Sequence, residues 1–141
     1  MQPDSYTATF VVDRTPEEVL DAVLDVPSWW TGEVSGPTRE VGDEFEYRYP
    51  DMHVSRQRVL EAGPRRVRWL VTTATLTFVE ASGEWAGTEI VFDLEPEAGG
   101  TRVTFTHDGL VPALQCWDAC SQGWESLALS ALRAGLAGAR A

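Results

Sequence analysis

The chain has no lysine; all 11 of its basic residues are arginine, against 22 acidic ones, for a net charge of -11. The missing lysine carries no functional weight. The shortage of positive charge does. A polyanion such as nucleic acid would be repelled, and so would an anionic membrane surface. Long apolar runs are also missing. No stretch approaches the roughly 18 residues needed to cross a bilayer. The first residues, MQPDSYTATF, show no basic region followed by an apolar run, so no signal peptide is expected. Only two cysteines occur, four apart, a poor disulfide framework. A reduced, cytoplasmic setting is expected. Repeats, low-complexity tracts, a phosphate loop and a G-x-S-x-G elbow are all absent from the sequence.

Enough apolar character is present, 43% of 141 residues, for one domain with one core. YTATFVV (Tyr6 to Val12) reads as a strand. Thr15-Pro16-Glu17-Glu18 is a helix start: a hydroxyl cap, proline in the first turn and glutamate three after the cap. Val19, Ala22, Val23 and Val26 follow at helical spacing, and Pro27 ends the helix. Ser28-Trp29-Trp30 opens a short helix or turn.

From Gly42 the period drops to about two. Phe45, Tyr47 and Tyr49 share one face of their strand. Residues 53 to 61 and RVRWLV (66 to 71) form a hairpin turned by Ala62-Gly63-Pro64, and residues 75 to 80 read as a short strand. Ile90, Phe92 and Leu94 point inward, then Val103, Phe105 and His107 after a turn at 97 to 100. One-sided alternation means a sheet with one wet face. After Pro112 the period is helical again, with Leu114, Trp117, Ser121, Trp124, Ala128 and Ala131 at steps of three and four. The expected fold is α+β, in β-α-α-β6-α order. A curved antiparallel sheet of about seven strands wraps a long C-terminal helix.

The inward residues are aromatic with polar groups interleaved, which suits either a solid core or a pocket. Trp30, Phe45, Tyr47, Tyr49, Gln57, Trp69, Phe92, Phe105 and His107 are the expected lining. Trp117, Ser121 and Trp124 supply the helix side, with Gly123 letting the helix lie close and the cysteines as filler. Trp85 is placed at an edge. Cys116 and Cys120 share a helix face, but a structural zinc site takes four ligands, so no metal or cofactor is expected. His107 is read as hydrogen-bonded rather than as a base, and no catalytic residue is assigned. Arg56, Arg58, Arg65, Arg66 and Arg68 are read as a solvated face paired with Glu44, Glu46 and Glu61. That holds if Val59 and Val67 point inward together; a one-residue slip would bury Arg58 and call for an anionic ligand.

Several stretches together resemble a known family. They are the first strand with Thr15 to Val19, Trp29-Trp30, Val41 to Phe45, Arg65 to Trp69, the hairpin over 89 to 109, and Gly123-Trp124 with Leu127. The chain is similar to the START-like, helix-grip superfamily (SRPBCC, birch-pollen-allergen-like). Within it, it resembles the group around the C-terminal domain of the heat-shock-protein-90 ATPase activator. The likeness spans nearly the whole chain, implying a single domain over 1–141 with a cavity between sheet and helix. The expected partner is a small hydrophobic molecule, bound by a monomer or homodimer. The alternatives are a cyclase- or aromatase-like enzyme using Tyr47, Tyr49 or His107 to move protons, and a co-chaperone-like stress protein.

Overall fold

A computed structural model describes residues 5–30, 32–49, 53–77 and 83–138, with backbone only at 126–128 and 137–138. Strand β1 (Tyr6–Val12) leads into helix α1 (Pro16–Leu24). The start of α1 is fixed by the capping box foreseen in the sequence: Glu18 N–H donates to Thr15 Oγ1 (3.2 Å) and Thr15 N–H to Glu18 Oε1 (3.0 Å). Val19, Val23 and Leu24 form its buried face. A 3₁₀ turn (Val26–Ser28) then delivers Trp29 and Trp30 to the interior.

Strands β2 (Glu33–Ser35), β3 (Glu44–Tyr49), β4 (His53–Ala62), β5 (Arg66–Leu76), β6 (Glu89–Glu97) and β7 (Gly100–Asp108) follow. All neighbours pair antiparallel, in the order β1-β7-β6-β5-β4-β3-β2. The strand expected over 75–80 is not separate at its start: Thr75 and Leu76 end β5, and 78–80 lie outside the described residues. Between β4 and β5, Gly63 takes a φ of 97°, and a Cβ there would come within 2.6 Å of Leu20 on α1. Only glycine fits that turn.

The register of β4 and β5 settles which side the arginines face. Val59 lies opposite Trp69 and Gln57 opposite Val71, with bulges between Arg56 and Gln57 and between Val59 and Glu61. His53, Ser55, Gln57, Val59, Val67 and Trp69 are buried, while Arg56 and Arg58 are exposed. Outside, Arg58 pairs with Glu44 (3.3 Å), Arg66 with Asp93 (2.6 Å), and Arg68 with Glu61 (3.4 Å) and Glu89 (2.9 Å). The solvated, cross-strand reading of this arginine cluster holds.

The terminal helix departs from expectation. It runs as α2 (Trp117–Gly123), a π-helical stretch (Trp124–Leu129) and α3 (Ser130–Gly138), with right-handed helical dihedrals at both junctions. Its buried stripe is Cys116, Cys120, Trp124, Leu129, Leu132 and Leu136. The step from Trp124 to Leu129 is five residues, because the π turn inserts one extra. Trp117 and Ser121, which precede that turn, each follow a stripe residue by one position and stand half-buried beside the stripe rather than on it. Trp117 packs edge-on against Tyr6, with ring centroids 6.2 Å apart. Ala131 is half-buried and Ser130 exposed. Gly123 does not bring the helix close to the sheet, since a Cβ there would meet nothing within 4 Å.

Candidate functional site

The concave side of the sheet carries a network of rings. Trp30 stacks on Tyr47 with centroids 4.3 Å apart and lies 5.2 Å from Trp124 on the terminal helix. Trp29 and Trp69 lie nearly parallel to Trp30. Phe105 meets Trp124 at 4.6 Å and Phe92 at 5.1 Å. Phe45 abuts Trp69 at 5.3 Å. The structure thus brings Trp30, Phe45, Tyr47, Gln57, Trp69, Phe92, Phe105, His107 and Trp124 together as buried residues, with Tyr49 half-buried at the end of β3.

Trp85 was placed at an edge by the sequence, yet it is buried at the centre. Its ring stacks on Trp124 at 5.7 Å and is met edge-on by His53 (4.5 Å) and His107 (4.6 Å). Trp85 lies in a connection without periodicity, so no pattern could assign it a face. His53 was missed as lining; its alternation with Ser55, Gln57 and Val59 along β4 was the available signal.

Two polar chains thread this apolar interior. Trp124 Nε1–H donates to His107 Nδ1 (3.0 Å), and His107 Nε2 lies 2.8 Å from Thr88 Oγ1. An indole nitrogen can only donate, so Nδ1 holds the lone pair and Nε2 the proton. Thr88 then sends its own hydroxyl proton to the Trp85 carbonyl (2.6 Å). Burial, and then the charge His53 would carry, push the His107 imidazole down to about 3. With its lone pair committed to Trp124, His107 is a strut between helix and sheet, not a base.

In the second chain, Gln57 Nε2 donates to Ser55 Oγ (2.6 Å), which sits 2.7 Å from His53 Nε2. Burial lowers His53 to about 4 and, with the neighbouring Tyr49, raises the Tyr47 phenol to about 12. At neutral pH all three are uncharged. Among the described residues, three buried polar atoms near this interior lack a partner: Gln57 Oε1, Trp69 Nε1 and Ser121 Oγ. Among the described residues, no acidic residue or arginine is fully buried. No cluster of three or more metal-ligating side chains occurs among the described residues. Elsewhere, an open surface groove of about 500 Å³ lies between β1 and α3, lined by Val11, Asp13 and Arg133 among others, and shares none of the expected site residues.

A curved seven-stranded antiparallel sheet closed over by a C-terminal helix, with an aromatic interior between them, defines a helix-grip, START-like protein. The family model described as activator of Hsp90 ATPase homolog 1-like protein matches residues 13–137, and the chain belongs to that family. No curated protein matches it. Among solved structures it is similar to the Aha1 dimer from Colwellia psychrerythraea, with 24% identity and a TM-score of 0.76 over 97% of this chain and 98% of that one. A protein from Mesorhizobium loti shares 18% identity with a TM-score of 0.76, over 97% and 98% of the two chains. CalU16 from Micromonospora echinospora shares 22% identity with a TM-score of 0.64, over 91% of this chain and 73% of that one. At these identities the likeness establishes the fold. No helix among the described residues is long and apolar enough to cross a membrane.

Proposed function

We propose that the chain acts as one START-like domain that binds a small, uncharged, largely aromatic molecule between the sheet and the terminal helix. The observation that carries this reading is a pair of unpartnered polar atoms on fully buried side chains, Gln57 Oε1 and Trp69 Nε1. Trp69 pairs with Val59, two positions along β4 from Gln57 on the same face, so the two side chains are diagonal neighbours. Each such atom costs about 1–3 kcal/mol when left without a partner in the interior. A guest presenting one donor and one acceptor, as a phenol does, would relieve both.

The charge of the guest follows from what surrounds it. Both histidines are neutral, and Arg56 and Arg58 face water, so a carboxylate would find no cation inside. Room for the guest comes from Trp30, whose slot against Tyr47 and Trp124 it would take over. The setting we infer is cytoplasmic, as monomer or homodimer. A docking role like that of a co-chaperone finds less support. The exposed large apolar side chains among the described residues are Val11 and Val41, and they form no shared patch.

The test combines native mass spectrometry of protein from its own host with Gln57→Leu. The variant removes an unsatisfied acceptor but also the buried Gln57 Nε2–Ser55 Oγ hydrogen bond, so its stability should stay within about 1 kcal/mol of the parent's. Guest affinity should fall about tenfold or more, the equivalent of one lost hydrogen bond. A variant that binds as well as the parent, or a parent that retains no guest, removes the support for this function.

A further inference from the structure

Beside the aromatic interior, but outside the proposed guest site, two thiols stand one helical turn apart. Cys116 N–H and Gln115 N–H donate to the two oxygens of Glu84 (3.2 and 3.0 Å), which ties the loop before β6 to the start of the terminal helix. Cys120 N–H donates to the Cys116 carbonyl (2.7 Å), so the turn between them is helical. Both thiols are free and buried, at 0% and 6% exposure. Trp85 Nε1–H donates to Cys120 Sγ at 3.3 Å.

What such a pair can bind is decided by spacing. Residues four apart on a helix hold their Cβ atoms about 5–6 Å apart, whereas an unstrained disulfide needs roughly 3.5–4.5 Å. Direct S–S bonding would require the turn to distort. A bridging atom would not. Two bonds of about 2.3 Å, as in zinc thiolates, span roughly 3.5–4.5 Å between sulfurs, depending on the angle at the bridge. Zinc itself needs two more ligands, and no third metal-binding side chain joins the pair among the described residues. The arrangement suits soft acceptors of low coordination number.

We propose that Cys116 and Cys120 form a two-thiolate site for such an acceptor, either monovalent copper or an organic trivalent arsenical. With an arsenical of the R–As=O type, two As–S bonds form, both thiol protons pass to the oxygen, and that oxygen leaves as one water. No electrons are transferred. With monovalent copper, two Cu–S bonds form and two protons go to solvent. Trp85 reports either event, because the sulfur its indole N–H meets changes.

The test treats the reduced full-length chain with phenylarsine oxide, and separately with monovalent copper held in a chelating buffer. The expected result for the arsenical is one adduct per chain, weighing the probe less one water. The adduct should be accompanied by a change in tryptophan emission, reversed by a dithiol but not by a monothiol at the same thiol concentration. Copper should bind one per chain. Cys116→Ser and Cys120→Ser should each abolish the monothiol-resistant adduct. The reversal experiment needs no variant, so the idea stays testable even if a variant misfolds. An adduct removed by monothiol, one retained in either single variant, or no adduct overturns the proposal. Gln57→Leu should leave the adduct unchanged, which keeps this result separate from guest binding.

Discussion

Trp124 does two jobs that can be separated chemically. Its ring fills space against Phe105, Trp30 and Trp85, and its N–H occupies the lone pair of His107. Trp124→Phe keeps most of the first and deletes the second, leaving a buried nitrogen unpaired at a cost of about 1–3 kcal/mol. Trp124→Ala loses both, at about 3–5 kcal/mol or more. Urea unfolding of the two variants checks this order. If phenylalanine proves as stable as tryptophan, the strut role of His107 is wrong. The sequence showed that Trp124 and His107 face inward but not that they bond, because pairing across elements has no local signature. Trp85 escaped for a related reason: it sits in a turn held by Thr88 N–H on its carbonyl (3.0 Å), where neither a period of two nor one of 3.6 applies.

Among the elements, the strands were legible and the last helix only in part. Alternation in β3 is one-sided, and in β6 and β7 it marks the inward residues although Val91 and Thr106 at alternate positions are buried too, so the inward residues could be read from their neighbours. The β4–β5 register was legible as a conditional: pairing Val59 and Val67 inward sends Arg56 and Arg58 out, and it does. The terminal helix was read at steps of three and four throughout, but the π turn breaks the phase after Trp124. Deleting the exposed Glu125 converts the five-residue step into four and keeps Leu129, Leu132 and Leu136 on the inner face. We expect a folded protein within about 1 kcal/mol of the parent. Inserting one alanine at the same point instead rotates everything after it by about 100°. Three buried leucines then leave the core at about 2–5 kcal/mol each, comparable with the whole stability of a small domain. Circular-dichroism melts distinguish the two. Equal damage from deletion and insertion would mean that the π turn, not the phase, holds the helix in place.

On the scale of the whole molecule, two effects of acid compete. Protonating carboxylates relieves the repulsion of a chain with net charge -11. The two interior histidines act the other way. Unfolded, each takes up a proton near its ordinary value of about 6.5. Folded, His53 resists down to about 4 and His107 to about 3, because burial penalises their charged forms. Between these limits the unfolded state holds more protons than the native one, so stability falls as pH falls. The contribution is complete above pH 6.5. It declines by at most about 1.4 kcal/mol per pH unit for each histidine, through His53 first and His107 last. Ordinary carboxylates titrate near 4, so from pH 6.5 to 5 the histidines act nearly alone and should win. Urea midpoints at pH 7.5, 6.5, 5.5 and 5.0 should decrease steadily below 6.5. Replacing His53 with glutamine should remove about half of that slope without shifting where it begins. A midpoint that stays flat or rises as the solution is acidified from pH 7 to 5 would show that the two imidazoles are not held neutral in the aromatic interior.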